Sequence, residues 1–231
     1  PTTPNGFDDS IVRSVMPLVG KGAAAVIKST LLPGTTAAIQ KENPDLFVMH
    51  SPEFLTEATA AYDAAHPNRN IIGIPKNTEM YQAKAKEILS ILPEAPYSRI
   101  CTAREAELIK YAGNCFLFMK VIFSNLLFDL ANTFNDADYD VIRDAMAADP
   151  RIGETHLNPI HQSGRGAGGH CFIKDFAAFT KMYSEHIADQ AGREVLEALI
   201  EKNRQLLVAS AKDLDLLVGV YGEEAVRTDW G

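Results

Sequence analysis

The octapeptide Gly168-Gly169-His170-Cys171-Phe172-Ile173-Lys174-Asp175 places a cysteine behind a glycine pair, at what reads as a helix start. A helix N-terminus favours the thiolate, so Cys171 is a candidate nucleophile. Asp175 follows one helical turn on, shares that face, and can orient a water or take a proton. Read alone, a free cysteine is as well explained as a small buried hydrophobe. In Lys110-Tyr111-Ala112-Gly113-Asn114 an ammonium and an amide sit four apart on one helix face, where both can address one substrate oxygen. A solvated helix face is the bland alternative, but Ile109, Cys115, Phe116, Leu117 and Phe118 around them predict burial, and a buried lysine requires a reason. The third constellation, Ser51-Pro52-Glu53-Phe54-Leu55-Thr56-Glu57, directly follows an apolar strand. Ligands bind beyond the carboxyl ends of strands in open α/β sheets, which makes Glu53 and Glu57 candidates for acid/base work and cofactor contact. As an acidic pair at a helix start they would merely complement its dipole. Lys28-Ser29-Thr30 leaves the preceding strand at the corresponding end.

The elements that must carry these groups change character near residue 102. Up to residue 101, helical and extended segments alternate, the pattern of a parallel α/β sheet. Residues 23–28, 46–50 and 70–74 are short, apolar and bounded by turn residues, and read as buried strands. Residues 10–19 and 78–91 have helical periodicity, and Pro33-Gly34 turns into another helix near Thr36. From 102 to 231 the reading is all-helical: one long helix over 105–134 that is apolar on nearly every face and therefore buried, then helices over 139–147, 172–184 and 189–217.

Two strings match a glycine-rich dinucleotide loop, Gly20/Gly22/Ala25 and Gly164/Gly166/Gly169, and neither has the strand before and helix after that a pyrophosphate site needs. The net charge of −8 repels a phosphate backbone, and no dense Lys/Arg cluster reverses it, which argues against a nucleic-acid partner. Cys101, Cys115 and Cys171 are odd in number and widely spaced, so neither a disulfide framework nor a metal site is indicated. No apolar run reads as a membrane span and residues 1–4 do not read as a signal peptide, so a cytoplasmic protein is expected. The chain opens on Pro1 without an initiator Met, as a fragment would.

In order along the chain, KSTLLPGTT, SPEFLTE, HPNRNIIG, AELIKYAGN, DPRIG and GGHCFIKD resemble the landmarks of the UDP-glucose/GDP-mannose dehydrogenase family. The resemblance runs from about Pro1 to Leu207. It implies the second half of a Rossmann-type NAD-binding domain over 1–101 and a helical dimerisation domain over 102–231, a central fragment of the family's full chain. By the same resemblance Cys171 is the nucleophile, Lys110 and Asn114 hold the reacting oxygen or the hydrolytic water, Asp175 assists proton transfer and Glu53 is the acid/base. Thr3, Thr30 and Glu57 would contact NAD, and Phe54, Leu55, Arg151, Gly168 and Lys174 the nucleotide sugar. Arg151 resembles an arginine that reaches substrate in the partner subunit of a homodimer built on the long helix. The implied reaction oxidises the sugar alcohol to a uronic acid through a cysteine-bound intermediate, with two hydride transfers to NAD. Two other readings remain: a β-hydroxyacid or 6-phosphogluconate type dehydrogenase, for which Cys171 has no use, and a non-catalytic helical dimerisation module. Ala167, His170 and Ile173 stand where the family often has an aromatic residue, Ser and Pro.

Overall fold

The structure, a computed structural model, describes residues 2–3 and 6–227; of residues 2, 3, 6 and 57 it describes the backbone. The chain opens on a short antiparallel ribbon, β1 (Thr2–Thr3) with β2 (Gly6–Phe7). Two compact units follow, one of residues 8–112 and one of 113–231 together with 1–7.

The first unit is α/β. Helix α1 (Ser10–Val15) ends in a 3-10 turn, and strand β3 (Ala24–Ile27), helix α2 (Thr35–Glu42), strand β4 (Phe47–His50), helix α3 (Ala60–Ala65), strand β5 (Arg69–Ile74), helix α4 (Glu79–Ile91) and strand β6 (Tyr97–Thr102) succeed it. The strands form one sheet in the order β3-β4-β5-β6. Met49 and Ile72 are fully buried and pack with Ile74 against Tyr81, Ala85 and Ile88 of α4, the apolar face whose periodicity made that helix legible. Thr78 caps α4, its hydroxyl accepting from the Tyr81 N–H. Gln40 of α2 donates to the Asn43 and Leu46 carbonyls and accepts from the Val48 N–H, fixing the helix to the start of β4.

The long helix α5 (Ala103–Ala131) begins in this unit and continues into the second. There follow α6 (Tyr139–Ala147), a hairpin of β7 (Ile160–His161) and β8 (Gly164–Arg165), α7 (Gly169–His186), α8 (Gln190–Ala209) and α9 (Leu214–Tyr221). Phe118 of α5 stacks on Phe176 of α7 with ring centroids 4.0 Å apart, and Ile173, Leu207, Leu217 and Ala225 form a second buried cluster.

Several local readings change. The sheet is mixed: β3 and β4 are parallel, as are β5 and β6, but β5 meets β4 antiparallel at His50 and Gly73. Between them the only helix is six-residue α3, so β5 enters from the end at which β4 leaves. Strand β6 went unread because its residues are mostly exposed and carry no apolar run. The helical half contains the β7–β8 hairpin, and its last long helix is broken between α8 and α9 by Ala211 and Asp213, both left-handed at φ 52° and 53°. No glycine or proline marks that break, so apolar periodicity runs through it. Helix α5 is not buried on most sides, since Phe116, Met119, Phe123, Leu126 and Leu130 are exposed. It is long and apolar enough to cross a membrane on length and composition alone, contrary to the expectation that no segment would be. Its opposite face, with Tyr111, Cys115, Phe118 and Ile122, is buried within the protein.

Candidate active site

In the first unit the segment after β4 is a loop without regular structure. Glu53 carries most of the geometry: one carboxylate oxygen lies 3.1 Å from the Lys28 ammonium, the other accepts from the Phe54 N–H at 2.9 Å, and its backbone carbonyl accepts from Lys110 Nζ at 2.7 Å. Lys110 is half-buried, as its apolar neighbours predicted, and a main-chain carbonyl holds its charge. The Arg69 guanidinium lies 3.8 Å above the Phe54 ring centroid and Lys110 Nζ lies 5.9 Å from it, so two cations flank one aromatic face system. Burial pulls the Arg69 pKa below its ordinary value. Lys28, Ser51, Glu53, Phe54, Leu55 and Arg69 line a cavity of about 370 Å³ at the carboxyl end of β4, where an α/β sheet is expected to bind its ligand. Thr30 is half-buried just beyond β3. The side chains of Thr3 and Glu57 lie outside the described residues.

In the second unit Cys171 is exposed and is the third residue of α7, close to the expected helix start. Asp175, one turn on, is 1% exposed, and its carboxylate is fully claimed: Oδ2 accepts from Asn114 Nδ2 at 2.5 Å and Oδ1 pairs with Lys174 Nζ at 2.5 Å. An ionised carboxylate tolerates such burial only with partners of this kind. Cys115 donates its S–H to the Asp175 carbonyl at 3.8 Å, and burial followed by the Asp175 charge pushes its thiol up to about 12. Gly168 is the N-cap of α7. Arg151 is well exposed, paired to its neighbour Asp149. Lys120 of α5 pins the loop that presents it by donating to the Ile152 and Gly153 carbonyls.

Thus Glu53, Phe54, Leu55 and Lys110 come together in one unit, and Asn114, Cys171, Lys174 and Asp175 are gathered on α5 and α7 of the other. Arg151 stands apart on its own loop. Sequence reading missed Arg69 as a ring partner although it lies inside the quoted HPNR motif, and it gave Lys28 no role although Lys28 opens KST. Among the described residues no group of His, Cys, Asp or Glu could hold a metal ion.

Solved structures of nucleotide-sugar dehydrogenases resemble this α/β unit and the helical unit that follows it along the chain. UDP-glucose dehydrogenase from Pyrobaculum islandicum is similar with a TM-score of 0.72 and 30% identity over 94% of this chain and 50% of that one. GDP-mannose dehydrogenase from Pseudomonas aeruginosa is similar with a TM-score of 0.55 and 26% identity over 94% of this chain and 51% of that one. In sequence, UDP-glucose 6-dehydrogenase from Rickettsia conorii is 32% identical over 198 residues, 84% of this chain and 43% of that protein. Residues 7–92 match the model of the UDP-glucose/GDP-mannose dehydrogenase family's NAD binding domain, and residues 104–205 match that family's central domain. The chain belongs to the UDP-glucose/GDP-mannose dehydrogenase family. It spans about half or less of the length of the relatives it matches.

NAD is the cofactor this family's first domain implies. The described residues fit one side of such a site: Thr30 and the Ser51–Thr56 bend stand at the carboxyl ends of β3 and β4, where a dinucleotide lies in this fold. They do not build the pyrophosphate cradle. The first glycine string lies in the turn that enters β3; the second, contrary to the expectation, does run from a strand, β8, into a helix, α7, but β8 is a two-residue arm of an antiparallel hairpin and not a strand of the α/β sheet.

Proposed function

We propose that this chain carries the catalytic groups of an NAD-dependent nucleotide-sugar 6-dehydrogenase, which oxidises the primary alcohol of a UDP- or GDP-linked sugar to the uronic acid. The observation that carries the reading is the pairing, in a chain of this family, of an exposed cysteine at a helix start with a buried carboxylate one turn on, held by Asn114 and Lys174. One hydride transfer has no use for such a thiol, so Cys171 speaks against the hydroxyacid type of dehydrogenase.

Each residue has a step. Glu53 accepts the proton as the alcohol becomes an aldehyde, and NAD supplies the hydride acceptor for both oxidations. The Cys171 thiolate adds to the aldehyde carbon, forming the C–S bond, and the second oxidation leaves a thioester. Lys110 stabilises the negative oxygen during addition and hydrolysis, and Asn114 orients the attacking water while Asp175 assists its proton. Water then releases the acid and restores the thiol. Thr3, Thr30 and Glu57 serve the cofactor; Phe54, Leu55, Gly168 and Lys174 serve the sugar and its nucleotide.

The exposed residues of α5 support a homodimer. Phe116, Met119, Phe123, Leu126 and Leu130 recur at alternating three and four spacing, the seam by which helices pair. A second copy of this chain covers that seam, and Arg151, exposed on its pinned loop, reaches the partner's substrate. Nucleic acid and membrane have no part in this reading, and the three free thiols suit a cytoplasmic enzyme.

The test is NADH absorbance with a panel of UDP- and GDP-sugars, on this chain and on a form extended with whatever coding sequence flanks it. The expected result is two NADH and one acid per sugar, abolished by Cys171→Ser. One NADH per substrate, or acid formation undiminished in Cys171→Ser, removes the thiol chemistry. Silence from folded, dimeric protein in both forms favours the non-catalytic helical module.

A further inference from the structure

The glycine string Gly164/Gly166/Gly169 has no strand of the α/β sheet before it, and the structure shows what Gly164, Gly166 and the adjacent Gly168 meet. An ideal Cβ on Gly164 would lie 2.5 Å from Ser210 Oγ. One on Gly168 would lie 2.0 Å from Asp213 Oδ2 and 2.8 Å from Lys212 Cε. One on Gly166 would stand 3.0 Å from Asn203 Oδ1, and Gly166 is itself left-handed at φ 92°. Every one of these neighbours belongs to the end of α8 or to the turn between α8 and α9. Gly164 and Gly168 are therefore matched to that turn and Gly166 to the end of α8.

The end of α8 and the turn together also take up the backbone polar groups of the same loop, nearly residue by residue. Ser210 Oγ accepts from the Arg165 N–H at 3.0 Å. Lys212, 3% exposed, donates to the carbonyls of Gly164 at 3.4 Å and Gly166 at 3.1 Å. The Asn203 amide forms two bonds with Ala167, accepting from its N–H at 2.7 Å and donating to its carbonyl at 3.0 Å. Asp213 Oδ2 accepts from the Gly169 N–H, the first of α7, at 2.7 Å. Two non-glycine residues of the turn, Ala211 and Asp213, hold left-handed conformations to present these groups. A buried ammonium spent on two carbonyls, with a strained turn to place it, is more than helix termination needs.

We propose that Asn203, Ser210, Lys212 and Asp213 are positioning residues that clamp the Gly164–Gly169 loop, and through the first turn of α7 fix the Cys171 thiol. None of them touches the reacting atoms; they act through the loop backbone on Cys171, two residues beyond the Gly169 N–H. The inference rests on the reading of Cys171 as the nucleophile, but the clamp is measurable without turnover.

The experiment compares wild type, Asp213→Gly and Asp213→Asn. Glycine removes the carboxylate while accepting the left-handed backbone, and asparagine keeps an acceptor in the same conformation. Ser210→Ala is the milder variant should Asp213→Gly fail to fold. On this chain we expect amide exchange across 164–170 to quicken at least tenfold in Asp213→Gly, and the iodoacetamide rate of Cys171, followed by peptide mass, to change at least fivefold. Asp213→Asn restores both to within threefold. In the extended enzyme Asp213→Gly lowers kcat at least tenfold and leaves KM within twofold. A loop that loosens while the alkylation rate of Cys171 stays within twofold of wild type overturns the clamp, as does unchanged exchange in folded Asp213→Gly or Ser210→Ala. A wild type that turns over no nucleotide sugar overturns the dehydrogenase reading alone, and exchange with alkylation still decides the clamp.

Discussion

The three cysteines share a chemistry and differ in surroundings. Cys115 is closed in beside the Asp175 charge, with its thiol pushed up to about 12, and burial followed by the Glu105 charge pushes Cys101 up to about 11. Cys171 alone among them is exposed. At pH 8, iodoacetamide with peptide mapping is expected to label Cys171 at least tenfold faster than either of the others; comparable rates would deny it the nucleophile's role. Another single residue contributes to acid stability. His50 ends β4 fully buried, and burial, then the Lys28 charge, depresses its pKa from 6.5 to about 4. The unfolded chain therefore binds a proton near pH 6.5 that the folded chain refuses until about 4. Stability present above pH 6.5 is lost as pH falls through this window, by about 2 kcal/mol at pH 5. Urea denaturation at pH 7.5 and 5.0 should show a loss smaller by about that amount in His50→Leu than in wild type; an equal loss in both would remove His50 as its source. Cys171 and Asp175 could be singled out as candidates because a thiol and a carboxylate one turn apart suggest a chemistry. His50, Arg69 and Asp213 were not, because their roles depend on which distant residue the fold brings up.

Elements were legible where periodicity and end signals agree. The α6 reading, 139–147, matches the helix, and Asp138 caps it by accepting from the Asp140 N–H at 2.8 Å. The contact that fixes an element was illegible where it is remote, and α2, itself announced by Pro33-Gly34, is the example. Its N-cap position holds Gly34, which has no side chain to offer, so its first N–H groups find a carboxylate from another helix. Glu107 of α5, 0% exposed, accepts from the Gly34 N–H at 2.5 Å, the Thr36 N–H at 2.8 Å and the Thr36 hydroxyl at 2.6 Å. In sequence Glu107 is one more acid on a helix. Glu107→Ala leaves three donors unanswered and should cost about 3 kcal/mol in urea denaturation, with Glu107→Gln costing roughly half as much. Losses within about 0.5 kcal/mol of wild type would mean that water replaces the carboxylate. The same start of α5 is why β5 carries a glycine at position 73: a Cβ there would lie 2.6 Å from Ala106 Cβ and 2.8 Å from Ala103 Cα.

At the scale of the molecule, α5 holds two apolar seams of one period. Tyr111, Cys115, Phe118, Ile122 and Asn125 are buried, while Phe116, Met119, Phe123, Leu126 and Leu130 are exposed. The sequence could not separate them, because a helix buried on both sides and a helix awaiting a partner have the same composition. Accessibility separates them. A single exposed phenylalanine is unremarkable, but five apolar residues in heptad register are costly to leave in water, which is the ground for the proposed homodimer. A two-fold pairing brings each seam onto its own copy, and knobs at 116, 119, 123, 126 and 130 then fill holes between identical neighbours. Phe123 is central and 56% exposed, so Phe123→Asp removes no contact within the described residues' core while setting two carboxylates near the middle of the pairing. The wild-type chain should sediment as a dimer and Phe123→Asp as a monomer, with helical circular dichroism unchanged. Lys181→Asp, on an exposed position of α7, is the control for charge alone. A wild type that sediments as a monomer at micromolar concentration would leave the seam without a second copy, and Arg151 would then have no partner's substrate to reach.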